Sequence, residues 1–141
     1  MNIYFSCSIT GGRRDQAVYQ HIVSHLTGLG HQVPTAHLSR ADILDEEKVI
    51  EPRAVFDRDV KWVENCDAMV AEVSTPSHGV GYEIALALFL NKPVFCCYRE
   101  GVAVSKMLTG NTHPCLILVS YSDEKNLLAA MDQFLAEISP K

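Results

Sequence analysis

The sequence predicts an α/β fold in which one domain, residues 1–141, contains a doubly wound, five-stranded parallel sheet. Segments with the two-residue periodicity of strands alternate with segments that have the 3.6-residue periodicity of helices. Residues 68–73 are almost wholly apolar, as expected of a central parallel strand covered on both faces. The 141 residues, 48% of them hydrophobic, are enough for one core and too few for two ordinary domains.

The N-terminal third predicts a strand, a helix and a weaker strand. Residues 2–8 form the first strand, because their side chains alternate between two faces. One face carries Ile3, Phe5 and Cys7, and the other carries Tyr4, Ser6 and Ser8. Apolar residues recur with helical spacing over residues 15–29, and Gly30 ends this helix. Residues 31–37 predict a weaker second strand, and residues 38–47 an irregular loop with a helical turn.

The middle of the chain predicts a helix, the central strand and a second helix. Pro52 is compatible with a helix start, and residues 55–65 supply an amphipathic helix. Its inward positions are expected to be Phe56, Val60 and Val63. The third strand, residues 68–73, leads through a glycine-containing segment into an apolar helix over residues 81–90.

The C-terminal part completes the sheet. Residues 93–98 and 115–120 predict the fourth and fifth strands, with a short helix at 102–108 between them and an amphipathic helix at 124–138 after them. We expect the strand order 2-1-3-4-5 of flavodoxin-like, Rossmann-like sheets. In that order the loops after the first and third strands face each other across one crevice, where such sheets bind ligands.

The charge and hydropathy of the chain exclude several classes of partner. A net charge of −5 leaves no basic stripe for a nucleic acid polymer. No apolar run is long enough to span a bilayer, and the N-terminal residues lack the basic start and cleavage region of a signal peptide. We therefore expect no membrane partner, and a location in the cytoplasm or in the nucleus of a eukaryotic cell.

The cysteines and histidines predict neither a metal nor a cofactor. None of the five cysteines forms a C-x-x-C pair, and four lie in apolar runs, where a reduced thiol behaves as a small buried hydrophobe. His21 and His25 have a spacing that could hold a metal, but the residues between them lack the glutamate of a zinc-protease helix. A solvated helix face is the interpretation we favour for this pair.

Hydroxyl groups and glycines fill both loops of the predicted crevice. Residues 8–12 contain Ser8, Thr10, Gly11 and Gly12, and residues 74–81 contain Ser74, Thr75, Ser77, Gly79 and Gly81. Such loops ahead of helix N-termini bind phosphate through backbone N–H groups and the helix dipole. Neither loop matches a P-loop or G-x-G-x-x-G, which weighs against ATP hydrolysis and dinucleotide binding. Tight turns without a ligand are the alternative.

Two carboxylates accompany these loops. Glu83 lies at the predicted opening of a helix, where the dipole favours the ionised form that suits a nucleophile. Asp59 lies on the helix before the third strand and is expected to approach the crevice, whereas Asp57 points elsewhere and is solvated. Two carboxylates beside an anion site fit the cleavage of a glycosidic bond. A glutamate that merely complements its helix is the alternative for Glu83.

Four segments carry a family resemblance. They are Tyr4-Phe5-Ser6-Cys7-Ser8-Ile9 followed by Gly11-Gly12-Arg13, then Asp59-Val60-Lys61-Trp62, Ala71-Glu72-Val73, and Pro76-Ser77-His78-Gly79-Val80-Gly81-Tyr82-Glu83. Together they resemble the 2'-deoxynucleoside 5'-monophosphate N-glycosidases of the nucleoside 2-deoxyribosyltransferase superfamily. The resemblance runs over nearly the whole chain.

The resemblance implies the catalytic roles. Glu83 would attack the C1' carbon of deoxyribose, and Tyr4 would orient Glu83 through a hydrogen bond. Asp59 would transfer the proton that assists departure of the base and would activate water. The expected activity is hydrolysis of a deoxynucleoside 5'-monophosphate through a covalent glutamyl intermediate.

The resemblance also implies the residues that contact the substrate. They are Ser8, Ile9, Thr10, Gly11, His37, Ser77, Gly79, Ser105 and Met107. Ser8, Ser77 and Gly79 match positions that hold the 5'-phosphate, and His37 matches a residue beside the base. Ser105 and Met107 match residues donated by the neighbouring subunit, so the expected assembly is a homodimer with composite sites.

One position departs from the family pattern. Thr10 stands where the family has an arginine, so a charged contact to the phosphate or the base is missing. This substitution bears on nucleotide affinity and base preference. Arg13 or Arg14 could compensate, and both fit equally well as solvated residues at the start of a helix.

Three other functions compete with the hydrolase. A nucleoside 2-deoxyribosyltransferase shares the covalent intermediate but passes the sugar to a second base, and the serines on the 5' side favour the hydrolase over it. A ribonucleotide N-glycosidase acts on a substrate that differs only at the 2' position of the sugar, and no residue is assigned to recognise that position. A non-catalytic nucleotide sensor would need no nucleophile, so the joint presence of Tyr4, Asp59 and Glu83 argues against it.

Overall fold

The computed structural model describes residues 1–11 and 14–139. Its centre is a parallel sheet of four strands, β1 (Ile3–Ser6), β2 (Ala68–Glu72), β3 (Val94–Arg99) and β4 (Leu116–Tyr121), in that order. The helices are α1 (Gln16–Gly28), α2 (Ile43–Glu47), α3 (Pro52–Asn65), α4 (His78–Phe89), α5 (Lys106–Thr109) and α6 (Glu124–Ile138), with a 3-10 helix at Ala36–Ser39. The predicted α/β class with a parallel sheet is confirmed.

The prediction of five strands is not confirmed, because residues 31–37 do not form a strand. Gln32 makes one parallel bridge to Asn2 beside β1, and the 3-10 helix follows. The next ladder bond is taken over by a side chain, since the Phe5 N–H donates to Thr35 Oγ1 (2.9 Å) and not to a backbone carbonyl. Pro34 has no N–H to continue the pairing. The sheet therefore consists of β1 to β4, which correspond to the last four strands of the predicted order 2-1-3-4-5.

The core lies on both faces of the sheet, as the alternation of side chains predicts. Ile3, Phe5 and Cys7 face α1 and α6 in one apolar cluster, where Phe95 packs against Phe134 at 5.4 Å between ring centroids. Tyr4 faces the other way, into a cluster with α3 and α4. The two helices that carry the carboxylates of interest therefore cover the same face of the sheet.

Several details differ from the sequence-based expectations. On α3 Val63 is buried as predicted, but Phe56 is 48% exposed and pairs with Tyr82 on α4 at 6.1 Å. The helix predicted from residue 81 begins at His78, because Ser77 caps it by accepting the N–H of Val80. The short helix predicted at 102–108 is confined to Lys106–Thr109.

The predicted structural role of the cysteines is supported by their positions. Cys7, Cys66, Cys96 and Cys97 are buried and free, and Cys115 is half-buried. His21 and His25 are each paired with a carboxylate of α6, Glu124 and Asp132. None of the helices among the described residues is long and apolar enough to cross a membrane.

Candidate active site

Glu83 and Ser6 meet where β1 ends. Glu83 projects from the second turn of α4, and the Ser6 hydroxyl donates a 2.5 Å hydrogen bond to its Oε2. Ser6 is buried and Glu83 is half-buried. One oxygen of the carboxyl group is therefore fixed by a side chain of the central sheet.

The surroundings of Glu83 change its acidity. Burial raises the pKa of Glu83 to about 7, the charge of Asp59 adds to this, and hydrogen bonding by Ser6 and Tyr4 opposes it. The expectation that the helix dipole keeps Glu83 ionised is wrong, because α4 begins at His78 and Glu83 lies beyond its first turn, where the dipole is weak. Desolvation dominates instead. Both the charged and the neutral form are accordingly present near neutral pH.

Tyr4 lies beneath this carboxyl on the same face of β1 as Ser6. Burial first, and then the charges of Glu83 and Asp59, raise the pKa of the Tyr4 phenol, so it stays protonated. Its hydroxyl is close enough to lower the pKa of Glu83, but it completes no hydrogen bond of standard geometry among the described residues. A buried phenol that keeps its proton this close to Glu83 is well suited to donate to the carboxylate.

Asp59 and Glu83 line one cavity of about 480 Å³ between α3 and α4. Thr10, Gly79 and Glu47 also line it, and Phe56, Tyr82 and Leu86 supply apolar walls. This volume lies in the range of small-molecule sites. The structure thus brings the two predicted carboxylates together, although they are 24 positions apart in the sequence and on different helices.

Arg58 is a residue of this site that the sequence interpretation missed. Its Nε donates to Asp59 Oδ1 at 2.8 Å, and its Nη2 donates to Glu47 Oε1 at 3.1 Å. The guanidinium also stacks on Trp62, 5.0 Å from the ring centroid, and its charge lowers the pKa of Glu83. The segment Phe56-Asp57-Arg58-Asp59 contained the signal, since an arginine beside a candidate carboxylate is its most direct partner.

His37 adjoins this cluster from the 3-10 helix. Its ring meets the edge of Trp62 at 5.8 Å, and its Nε2 is 3.9 Å from Glu47 Oε1. The predicted base-side histidine therefore lies next to the cavity. Glu47, on α2, is the second residue of this site that the sequence interpretation missed, because residues 38–47 were predicted to form an irregular loop.

The two glycine loops, predicted to face each other across one crevice, approach each other closely at Gly11. A Cβ atom added at Gly11 would lie 2.5 Å from the carbonyl oxygen of Pro76 and 2.7 Å from Ser8 Oγ, so only glycine fits there. Ser8 is buried and Ile9 is half-buried against the core. Gly12 and Arg13 lie outside the described residues, and Arg14 is exposed just before α1.

Ser77 and Gly79 lie at the start of α4, where a phosphate would meet the helix N-terminus. The Ser77 oxygen accepts the Val80 N–H at 3.4 Å, and the hydroxyl proton of Ser77 stays available to a ligand. Gly79 has no steric need to be glycine, because an added Cβ would meet only Ser77 Oγ at 3.9 Å.

Ser105 and Met107 do not line the Glu83 cavity of their own chain. They line a second cavity of about 480 Å³ on the other side of α4, together with Ser77 and His78. Ser105 caps α5 by accepting the Met107 N–H at 3.2 Å, and the Met107 side chain is 82% exposed. Within one subunit, these two predicted substrate residues are thus separated from Glu83 by α4.

Comparison with known proteins matches the nucleoside 2-deoxyribosyltransferase family model to residues 3–133. A 5-hydroxymethyl-dUMP N-hydrolase from Danio rerio is 40% identical over 129 residues, which are 89% of this chain and 90% of the relative. A protein from Thermofilum pendens that carries the provisional name 2'-deoxynucleoside 5'-phosphate N-hydrolase 1 is 39% identical over 137 residues, 96% of this chain and 95% of the relative.

Solved structures show the same fold. A CMP N-glycosidase from Clostridium botulinum superposes with a TM-score of 0.73 at 19% identity, over 95% of this chain and 100% of the other. A 2-deoxyribosyltransferase from Bacillus psychrosaccharolyticus gives a TM-score of 0.63 at 19% identity, over 90% of each chain. The family match over most of the sequence, with relatives at this level of identity, shows that the protein belongs to the nucleoside 2-deoxyribosyltransferase family.

Proposed function

We propose that this protein hydrolyses the N-glycosidic bond of 2'-deoxynucleoside 5'-monophosphates and releases free base and 2-deoxyribose 5-phosphate. The observation that carries the proposal is the cavity shared by Glu83 and Asp59 beside the two phosphate-type loops. The relatives named as N-hydrolases of such nucleotides support the same substrate class.

In the proposed reaction Glu83 is the nucleophile. Its ionised oxygen attacks C1' as the bond to the base breaks, and an ester between Glu83 and deoxyribose forms. The Ser6 hydrogen bond and the nearby Tyr4 hydroxyl support this role, because both stabilise the ionised form against burial.

Asp59 is the proposed proton-transfer residue. It donates a proton to the departing base, and it then takes a proton from the water that cleaves the ester, so its own protonation state is restored. Water supplies the hydroxyl group of the released sugar, and Glu83 returns to its carboxylate form. The ion pair with Arg58 supports the role of Asp59, because it holds the carboxyl group in place beside the cavity.

The 5'-phosphate is proposed to bind between the two loops through Ser8, Ser77 and Gly79. Gly11 and Pro76 keep the loops in contact, and the N-terminus of α4 supplies a favourable dipole. Binding energy from a phosphate remote from C1' contributes to positioning the sugar. Thr10 lines the cavity in place of a charged residue, so it contributes at most a neutral hydrogen bond.

The active form is proposed to be a homodimer with composite sites. Ser105 and Met107 would reach the cavity of the neighbouring subunit, and His37 would lie beside the base. The exposed apolar side chains Tyr82, Phe89 and Met107 support this assembly, because their exposure is 55%, 82% and 82% in the single chain.

The proposal is tested by incubating the protein with a panel of dNMPs, NMPs and nucleosides and following free base by chromatography. We expect base release from dNMPs, and its loss in Glu83→Ala and Asp59→Asn variants that stay folded. Transfer of the sugar to an added second base would identify a transferase instead. Release from NMPs at an equal rate would identify a ribonucleotide N-glycosidase, and binding without release a sensor.

A further inference from the structure

Asp15 is a buried acid at the start of α1 that does not serve its own helix. It occupies the N-cap position, where a carboxylate usually accepts a backbone N–H of the first turn, yet its side chain makes no capping hydrogen bond. It is only 3% exposed. A carboxylate this deeply buried requires partners elsewhere.

The partners of Asp15 come from two other parts of the crevice. Thr75 Oγ1, in the loop after β2, donates to Asp15 Oδ2 at 3.2 Å. Arg99 Nη1, at the end of β3, donates to Asp15 Oδ1. Asp15 therefore joins the helix that follows the first loop to the second loop and to the neighbouring strand.

Arg99 also holds the base of the second loop through its backbone. Its N–H donates to Ser74 Oγ at 2.7 Å, and the Ser74 hydroxyl donates to Glu72. Glu72 is fully buried and also accepts a 3.0 Å hydrogen bond from the Tyr121 hydroxyl. The loop that leads to Ser77 is consequently anchored at both Ser74 and Thr75.

We propose that Asp15 and Arg99 are positioning residues that set the distance between the two phosphate-binding loops. This inference rests on the proposed function, because those loops are assigned to the 5'-phosphate there. Neither residue lines the cavity that contains Glu83. Without the pair, the loops still touch at Gly11 and Pro76, but the second loop loses the connection to α1 that Asp15 provides.

For the affinity of the Asp15→Asn variant for phosphate, the proposal predicts the opposite of what electrostatics alone predicts. Asp15→Asn removes a negative charge near the phosphate site, so electrostatics alone would tighten phosphate binding. Loss of positioning would instead weaken it, because the hydroxyl and N–H groups of the two loops would no longer meet the phosphate together at hydrogen-bond distance. Asp15→Asn is for this reason the decisive variant, and Arg99→Met and the double variant complete a cycle.

Two readouts are required. The first is the Kd for 2-deoxyribose 5-phosphate by calorimetry, and the second is kcat and KM for a dNMP. We expect Asp15→Asn and Arg99→Met each to raise Kd and KM about tenfold or more, with a smaller change in kcat. The Kd and KM of the double variant should be no higher than those of the more impaired single variant, because both substitutions break the same connection.

Two controls separate positioning from other effects. Asp57→Asn breaks an exposed ion pair with Arg53 on α3 and should leave Kd unchanged. Phe134→Leu lowers stability through the core between α6 and β3 without touching the loops, so it shows what a general loss of Tm does to KM. If Asp15→Asn does not fold, Thr75→Val removes only the hydroxyl contact and should raise Kd in the same direction by a smaller factor.

The possible outcomes are distinct. Tighter or unchanged phosphate binding in Asp15→Asn overturns the proposal, and weakening by Arg99→Met alone would identify Arg99 as a direct phosphate ligand. Additive effects in the double variant overturn it as well. Wild-type protein that binds 2-deoxyribose 5-phosphate but releases no base would refute the hydrolase and leave the positioning test intact. Wild-type protein that does not bind the phosphate sugar refutes the positioning role.

Discussion

Ser6 on β1 and Glu83 on α4, 77 positions apart in the chain, share a hydrogen bond of 2.5 Å. The donor is a buried hydroxyl at the end of β1, an edge strand of the sheet, and the acceptor is a carboxyl whose pKa is raised to about 7 by burial. The hydrogen bond stabilises the ionised form that a nucleophile requires. The balance between burial and this bond sets the pH at which Glu83 becomes reactive.

We expect Ser6→Ala to shift the pH dependence of base release. In the wild-type enzyme kcat should rise through about pH 7 as Glu83 ionises. Removal of a hydrogen bond to the charged form should move this rise upward by about one pH unit. The pH–rate profile is the measurement, with Ser120→Ala on β4 as the matched control. An unmoved profile would contradict the assignment of Glu83 as the titrating nucleophile.

Glu83→Gln should abolish base release and stabilise the fold at alkaline pH. The pKa of Glu83 is raised from 4.5 to about 7, so the folded chain holds this proton more tightly than the unfolded chain. The stability that this tighter proton binding provides is fully present below pH 4.5 and is lost as the pH rises to about 7. The loss is on the order of 3 kcal/mol.

The free energy of unfolding of both forms should be measured at pH 5 and pH 8. We expect the wild type to be the less stable form at pH 8 and the difference to shrink at pH 5. Glu64→Gln, at an exposed position of α3, should show no such pH-dependent gain. A Glu83→Gln variant that is destabilised at pH 8 would show that burial of the charge is not the dominant effect.

Ser77→Ala should weaken use of the monophosphate more than it weakens the fold. We expect a loss of about 1 to 3 kcal/mol in kcat/KM for dGMP, typical of a hydrogen bond to a charged group. Deoxyguanosine, which has no phosphate, should be affected less. Because Ser77 also caps α4, Asp123→Ala serves as the control, since it removes a comparable cap from α6. Equal kcat/KM for dGMP and deoxyguanosine in the wild type would argue for the transferase.

Activity should return when two inactive variants exchange subunits. A Glu83→Ala chain supplies an intact Ser105, and a Ser105→Ala chain supplies an intact Glu83. If Ser105 completes the neighbouring site, a heterodimer contains one site with both residues, and part of the activity should reappear after mixing. The measurement is base release from a dNMP in a preparation shown to contain heterodimers. Absence of recovery there would mean that each site is built from a single chain.

The sequence alone predicted the class of fold correctly, and it supplied the catalytic candidates, which stay predictions. Strict alternation in β1 placed Tyr4 and Ser6 on the face opposite Phe5, and the apolar run of β2 identified a central strand. The sequence-based prediction was wrong at residues 31–37, where the side chain of Thr35, and not a strand carbonyl, accepts the N–H of Phe5. Periodicity cannot predict this hydrogen bond, because it depends on which groups the neighbouring strand presents.

Only the tertiary structure decided the chemistry of Glu83 and its partners. The sequence predicts an ionised glutamate at a helix start, whereas the folded chain buries it and gives it Ser6 as a donor. The ion pair of Asp15 with Arg99 likewise joins the start of α1 to the end of β3, 84 positions apart in the chain. Spacing along a chain determines which residues share a face. Desolvation and hydrogen bonding depend on what packs against that face, and this is fixed only when the helices close over the sheet.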